Sequence, residues 1–355
     1  MRQISVIEDG RTQTTLALLS VQEFLREGEH LLQAHRFQEA LERFESAQGR
    51  DPDNREAAMG ANLALRGLIP RWHFAMLNDM ERNYAFEEAL REAVTPTTLV
   101  LDIGAGSGLL AMLAARSGAP YIVSCEAIRP MAQLASEIVT ANGFMERIQI
   151  IPRVSLDLKI GRDLPRKADL LVTEIFDCGL LGEAIIPTIR HARQYLLRDG
   201  GRMIPQTARV FAALLESEQV HKVNNIQDAC GFNLSLFNRF STLGYFPVRL
   251  NTWCHQMLTE PQEIFSFDFL RDSLLPAERC IDFTVTYDGQ CHGIVFWFEV
   301  DLNDRVSISN NPYNPTTHWM QAVQCLLYPV KVTAGQVVSV MAAHDDTSIW
   351  FNLNS

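Results

Sequence analysis

Two groups of residues have types and spacings suited to chemistry. In the first, Asp102-Ile-Gly104-Ala-Gly106-Ser-Gly108 closes an apolar run, and Glu126 closes the next one. Glycines here permit a tight turn and let a ligand approach the backbone at a helix N-terminus. An acid at the end of the following strand suits ribose hydroxyls. Leu109 stands where the last glycine of a G-x-G-x-x-G loop would fall, which favours S-adenosylmethionine over NAD. In the second group, Glu174 and Glu183 lie nine residues apart in TEIFDCGLLGE, at the end of a predicted fourth strand and just beyond it. Two carboxylates converging at a strand's carboxyl end repel each other unless a cation lies between them. A guanidinium, planar and always charged, matches such a pair. The competing explanation is a solvated acidic loop or a pair of helix caps.

The elements around these residues alternate. TTLVLDIGAGSGLLAMLAARSGA reads as strand, glycine turn and helix; YIVSCEA as a second strand; PMAQLASEIVTANG as the next helix. RIQIIPRVS, ADLLVTEIF and GGRMIPQTARVFAALLES continue the series, which predicts an α/β domain with a parallel, doubly wound sheet over 67–206. A single helix is expected over 71–94, just ahead of the first strand. From 207 to 355 the runs FSFDF, CIDFTVTY, GIVFWFEV, VQCLLYPV, QVVSVMA and SIWFNL predict an antiparallel barrel or sandwich. An aromatic, loop-rich insertion interrupts it at about 231–261. Residues 1–66 read as helical. Gly28, Phe37, Ala40, Phe44, Ala47 and Pro52 have the spacing of one tetratricopeptide unit, and a further helix is expected over about 54–65. One such unit cannot bury its own apolar face, so it needs a neighbouring domain or another chain.

Composition narrows the class. Of 355 residues, 47% are hydrophobic and 21% charged, which excludes a disordered chain. No stretch approaches the roughly 20 apolar residues of a membrane span, and acids precede the short apolar run near the N-terminus, so neither an anchor nor a secretory leader is expected. Seven cysteines, an odd number without a C-x-x-C pair, argue against a disulfide framework and a zinc site, so no metal is expected. A reducing, cytoplasmic compartment fits (the nucleus too, in a eukaryote). A net charge of −11 disfavours nucleic acid and anionic membranes and favours a basic partner.

On these motifs the chain resembles the protein arginine methyltransferases from about Pro70 to its C-terminus. Within them it is most similar to the branch with N-terminal tetratricopeptide repeats, with features of the monomethylating branch. The resemblance implies a Rossmann-like methyltransferase domain, a barrel with an inserted dimerisation arm, and a homodimer. The family's helix motif is Met76-Leu77-Asn78-Asp79-Met80-Glu81-Arg82. By resemblance Arg82 pairs with the cofactor carboxylate, and His73 and Met76 line the cofactor. Asp102, Gly104 and Gly106 form the cofactor loop, Glu126 holds the ribose, and Val154 and Ser155 lie by the adenine. The paired glutamates hold the substrate guanidinium. Thr317-His318-Trp319 forms the family's loop beside the substrate, with His318 linked to Asp79 across the site. His318 is either a proton acceptor or a structural hydrogen-bonding residue, and Trp319 is expected to shape the pocket.

Three departures stand out. The aromatic motif Y-F-x-x-Y of the asymmetric-dimethylating members, due near Leu63 to Gly67, is absent. Ser155 replaces the glutamate that meets the adenine amine, with Asp157 nearby as a substitute. Asp177 adds an acid to the paired-glutamate loop, either to favour substrates with neighbouring arginines or to cap a turn. The reaction expected is in-line attack of an arginine guanidino nitrogen on the sulfonium methyl, on a basic, arginine-rich protein or peptide, giving monomethyl or symmetric dimethyl products. The repeat would recruit a protein partner. The alternatives are a methyltransferase for a guanidino small molecule or peptide natural product, and an adaptor with an inactive catalytic domain.

Overall fold

The computed structural model describes residues 19–314 and 316–353, so the start of the expected helical segment, 1–18, lies outside the described residues. The chain divides into two compact units between Ala75 and Met76.

In the first unit, α1 (Val21–Gln33), α2 (Phe37–Arg50) and α3 (Arg55–Leu68) pack on one another. Ser20 and Glu23 form a reciprocal capping box on α1, and Asn54 caps α3, so both starts satisfy amides that the helix leaves unpaired. The core combines Phe24, Leu25, Leu31, Leu41 and Phe44 with Ala40, Ala47, Ala57, Ala61 and Ala64. A Cβ on Gly28 would lie 2.7 Å from the Phe44 ring, and one on Gly60 2.3 Å from it. Phe44 is thus wedged against two helices from the third. Gly28 is among the residues of the tetratricopeptide spacing; Gly60 lies outside it.

Near the start of the second unit, the helix expected over 71–94 is broken. α4 (Trp72–Leu77) stops, and α5 (Met80–Ala93) starts afresh. The cause is Asp79, whose backbone is extended and whose Oδ1 accepts the Arg82 amide at 3.0 Å, an N-cap in the middle of the motif. Next come β1 (Leu99–Ile103), α6 (Leu109–Arg116), β2 (Tyr121–Cys125), α7 (Arg129–Ala141), β3 (Ile148–Ile151), β4 (Ala168–Thr173), α8 (Ile185–His191) and β5 (Leu197–Ile204). The five strands form one parallel sheet in the order β3-β2-β1-β4-β5. Every residue of β1 is buried, as a strand covered on both faces requires. The strand order reverses between β1 and β4, and α/β folds bind ligands in the crevice at the carboxyl ends there.

β6 (Thr207–Glu216) leaves this sheet and pairs antiparallel with strand Gly289–Asp301, which pairs in turn with Gln321–Val332. Ala277–Thr284, Val337–His344 and Ile349–Leu353 form a second antiparallel sheet. Part of the expected insertion belongs to this barrel. Phe246–Val248 pairs with Gln321–Val323, and Leu250 and Leu258 are fully buried. What projects is a two-residue ladder, Asp228–Ala229 with Phe232–Asn233, and the turn Ser235–Phe240. Phe232, Leu236, Phe237 and Phe240 are exposed on it.

Candidate active site

The loop after β1 is built by glycine. Gly104, Gly106 and Gly108 have φ of +86°, +51° and +79°, a region that penalises any side chain. The amides of Gly104 and Ala105 both donate to the Cys125 carbonyl, at 3.0 and 2.9 Å, and so tie the loop to β2. A Cβ on Gly104 would come within 2.8 Å of Ile175 Cγ2, beside Glu174. A Cβ on Gly106 would meet nothing within 4 Å, so the loop is open at that point. Gly104→Ala should therefore cost about 1–2 kcal/mol in backbone conformation alone. It should also displace Ile175 and weaken S-adenosylhomocysteine binding in a calorimetric titration; affinity equal to wild type would show that the loop tolerates the shift.

Acids surround this loop. Glu126 accepts the Gly106 amide at 3.0 Å and the Ile128 amide at 2.9 Å, so it shapes the loop at the end of β2. Asp102 is fully buried; its Oδ2 accepts the Ser124 hydroxyl at 2.7 Å, while Oδ1 has no partner. Burial pushes its carboxyl up to about 7, and the charges of Glu126 and Glu174 add to the effect, against the Ser124 bond and Arg82. An open glycine turn, an acid closing β2 and a buried carboxylate oxygen without a donor fit a nucleoside cofactor that carries cationic groups.

Glu174 directly follows β4. Its side chain is buried and ion-paired with Arg82, which is only 4% exposed. Arg82 also donates to Asn83 Oδ1 at 2.7 Å and lies over the Phe86 ring, 5.1 Å from its centroid, while its Nε has no partner. The structure therefore joins Arg82 to the first paired glutamate. Glu183 keeps an exposed face, yet protein crowds it. Lost solvation, then the like charges of Glu174, Asp177 and Glu126, push its carboxyl up to about 7. The charge of Glu174 thus reaches Glu183. Asp177 is occupied within the loop: Oδ1 accepts the Gly182 amide at 2.8 Å and Oδ2 the Tyr245 hydroxyl at 2.7 Å. Of its two expected roles, these bonds match the turn cap.

The Thr317–Trp319 loop closes another side. His318 Nδ1 and the His318 amide both donate to Asp79 Oδ2 at 2.9 Å; the carboxylate can only accept, so Nδ1 carries the hydrogen. Burial raises Asp79, but bonds from the His318 ring, the Arg82 amide and the His318 amide outweigh it and hold its carboxyl below the ordinary range. Trp319 Nε1 donates to the Phe176 carbonyl at 3.3 Å, which fixes the indole against the paired-glutamate loop. Thr317 is buried, and its hydroxyl accepts the Trp319 amide.

Asp79, Arg82, Asp102, Glu126, Glu174, Glu183 and His318 are linked by these contacts and charges. Among the described residues, no side-chain hydrogen bond or ion pair joins Met76, Val154 or Ser155 to this set. His73 belongs to the first unit and stacks on Trp72, ring centroids 3.9 Å apart. Met76 is half-buried. Val154 is exposed, and Ser155, buried, opens the turn Ser155–Asp157 after β3. Two residues escaped the sequence reading. Asn310, fully buried, donates to the Cys178 and Met320 carbonyls at 2.9 and 2.7 Å and so ties the paired-glutamate loop to the Thr317–Trp319 loop. Arg249 donates to the Thr317 and His318 carbonyls at 3.2 and 2.7 Å. Asn310 sits in SNNPYNP among asparagines that suit any turn, and nothing local marks Arg249.

A parallel sheet with this glycine loop, joined to an antiparallel β unit, defines a methyltransferase that uses S-adenosylmethionine, here with Glu174 and Glu183 set beside the glycine loop. Residues 206–355 match the arginine methyltransferase oligomerization subdomain, and residues 87–207 match ribosomal protein L11 methyltransferase (PrmA). Arginine N(omega)-methyltransferase of Streptomyces achromogenes subsp. streptozoticus is 44% identical over 289 residues, 81% of this chain and 80% of that protein. Protein arginine N-methyltransferase 7 of Aedes aegypti is 32% identical over 81% of this chain and 49% of its own length. For protein arginine N-methyltransferase 9 of Homo sapiens the figures are 32%, 86% and 39%, so the chain spans half or less of these two relatives. Among solved structures, the Trypanosoma brucei PRMT1 enzyme–prozyme heterotetrameric complex with AdoHcy superposes with a TM-score of 0.67 at 25% identity, over 76% of this chain and 86% of that one. The chain belongs to the protein arginine N-methyltransferase family.

Proposed function

We propose that the chain methylates arginine side chains of basic, arginine-rich proteins or peptides, giving monomethyl or symmetric dimethyl products. One observation carries the substrate reading. Glu183 sits among Glu174, Asp177 and Glu126, and lost solvation together with these like charges pushes its carboxyl up to about 7. The site is short of a cation. A guanidinium, protonated to above about pH 12, supplies one without needing to be deprotonated first.

S-adenosylmethionine, when bound, supplies an electrophilic methyl on a sulfonium. The glycine loop and Glu126 orient the nucleoside, and Asp102 and Arg82 offer a buried carboxylate oxygen and an unpaired Nε to its amino-acid end. Glu174 and Glu183 hold the guanidinium and draw its charge toward the nitrogens they contact, leaving the remaining nitrogen to face the methyl. Alignment of this kind is worth roughly 7–11 kcal/mol. His318, with Nδ1 committed to Asp79, keeps Nε2 for the proton that methylated nitrogen sheds. The absent Y-F-x-x-Y motif supports the product assignment.

A second reading has one observation in its favour. The 44% identical relative is named for arginine and not for protein arginine. A guanidino small molecule would meet the same two carboxylates. Around the catalytic unit we place a homodimer, supported by the oligomerization-subdomain match and the exposed aromatic insertion. We assign α1 and α2 to a tetratricopeptide unit that receives a protein partner, on the spacing of Gly28, Ala40, Phe44 and Ala47. Seven free thiols suit a reducing, cytoplasmic setting.

Purified protein with labelled S-adenosylmethionine, given an arginine/glycine-rich peptide or free arginine beside Glu174→Gln, tests the two readings. Methylarginine in the peptide, absent with the variant, is the expected result, and mass spectrometry fixes the product type. Transfer to free arginine alone would replace the protein substrate with the small one.

A further inference from the structure

The projecting insertion rejoins the barrel at Tyr245, one residue before strand Phe246–Val248. Its side chain turns toward the paired-glutamate loop. The hydroxyl donates to Asp177 Oδ2 at 2.7 Å. The ring stands edge-on to Phe296, centroids 5.1 Å apart and planes at 85°, and Phe296 is fully buried in the barrel. The same ring lies so close over Gly179 that a Cβ there would meet Tyr245 Cζ at 2.6 Å, so the loop passes under the phenol only as glycine. Asp177 then reaches forward: Oδ1 accepts the amide of Gly182, the residue before Glu183, at 2.8 Å. A rigid barrel side chain is thereby connected to Glu183 through two hydrogen bonds.

We propose that Tyr245 is a positioning residue for Glu183, acting through Asp177 from the root of the insertion. The proposal rests on the reading of Glu183 as a guanidinium carboxylate. Two effects follow from the geometry. The phenol fixes where Asp177 stands, and with it the turn that presents Glu183. It also donates a hydrogen to the Asp177 carboxylate and so stabilises its charge beside Glu183. The charges that bear on Glu183 come from Glu174 after β4, Asp177 within the loop and Glu126 after β2. Of these, Asp177 is the one that Tyr245 touches. Without the phenol, that charge is less dispersed and is free to approach Glu183, which holds its proton more tightly.

Tyr245→Phe keeps the ring contacts with Phe296 and Gly179 and removes only the hydroxyl. Asp177→Asn keeps an acceptor for Gly182 and a polar partner for the phenol but removes the charge. Tyr245→Phe should lower kcat/KM at pH 7 by about tenfold, the effect of one charge-assisted hydrogen bond, move the acid limb of the pH profile to higher pH, and recover in alkali. Asp177→Asn should move that limb to lower pH. Carbon-13 NMR of glutamate-labelled, substrate-free protein, with the Glu183 signal assigned through Glu183→Gln, should show the carboxyl titration moving in the same two directions. A lower rate with an unmoved limb and an unmoved Glu183 signal in both variants would reduce Tyr245 to a packing residue and overturn the proposal. Opposite NMR shifts with no methylarginine from any sample, wild type included, would keep the positioning role and sink the arginine reading. Normal methylation with no shift in Tyr245→Phe would do the reverse.

Discussion

Glutamine in place of Glu183 should lower kcat/KM for an arginine substrate by about a thousandfold, because it removes the charge from two hydrogen bonds to a guanidinium, each worth about 1.5–3 kcal/mol when charge-assisted. The substitution keeps the shape and takes away the charge. Its pH signature follows from the direction of the shift. Burial and three neighbouring carboxylates push Glu183 up to about 7, so below that pH the group is neutral and cannot balance a guanidinium. Wild-type kcat/KM should therefore fall as pH drops through about 7, and the limb due to Glu183 should vanish in Glu183→Gln. Stability runs the other way. A carboxyl whose folded pKa lies above its unfolded value of about 4.3 holds extra protons in the folded state between the two. Its contribution is fully present below the unfolded pKa and is lost as pH rises through the folded one. Glu183→Gln should accordingly unfold at a higher temperature than wild type at pH 8, with less difference at pH 5. Asp102, also pushed up to about 7, would keep part of the slope in both proteins. Lost activity with gained stability separates a missing charge from a damaged fold. A variant that loses both, or keeps the acid limb intact, would remove Glu183 from the clamp.

What was legible in the sequence is what the backbone demands locally. Gly104, Gly106 and Gly108 are readable because left-handed turns need them, and Glu126 because it closes a strand whose pattern is clear. The barrel strands are readable from alternation and β-branched content. Asp79 shows the limit of such reading. Inside a helical pattern it looks like any polar residue, yet it ends one helix and starts another, and only the family resemblance points to its bond with His318. The supports of the site lie further out of reach. Tyr245 meets Asp177 across 68 residues, and Asn310 meets Cys178 across 132. No spacing rule connects them, because the contact exists only once the barrel has packed on the sheet. Charge coupling is hidden for the same reason: the shift at Glu183 comes from lost solvation first, then from Glu174 and Asp177 in its own loop and Glu126 from a distant stretch of chain. Arg82 combines both lessons. Family resemblance directs it to the cofactor carboxylate, while the folded chain gives it to Glu174, 92 residues away.

Arg82→Met should be the second most damaging change, and it should act on two sites at once. The guanidinium is almost wholly buried, pairs with Glu174, donates to Asn83 and stacks over Phe86. Methionine has comparable length and keeps most of the packing on Phe86, but it leaves Glu174 buried without a counter-charge. That costs about 3–5 kcal/mol of stability, visible as a lower unfolding temperature. It also takes away the cation that opposes ionisation loss at Asp102, so the cofactor crevice becomes more negative or more protonated. Calorimetric titration with S-adenosylhomocysteine should show affinity falling by at least about tenfold, and kcat/KM by at least about a hundredfold. Arg82→Lys separates the two functions. An ammonium restores one charge to Glu174 but cannot reproduce a planar fork that serves Glu174, Asn83 and a further acceptor together. Stability should then return most of the way while cofactor affinity stays low. If cofactor affinity is unchanged in Arg82→Met while the substrate KM rises, Arg82 serves Glu174 alone, and the open Nε faces nothing that the cofactor supplies.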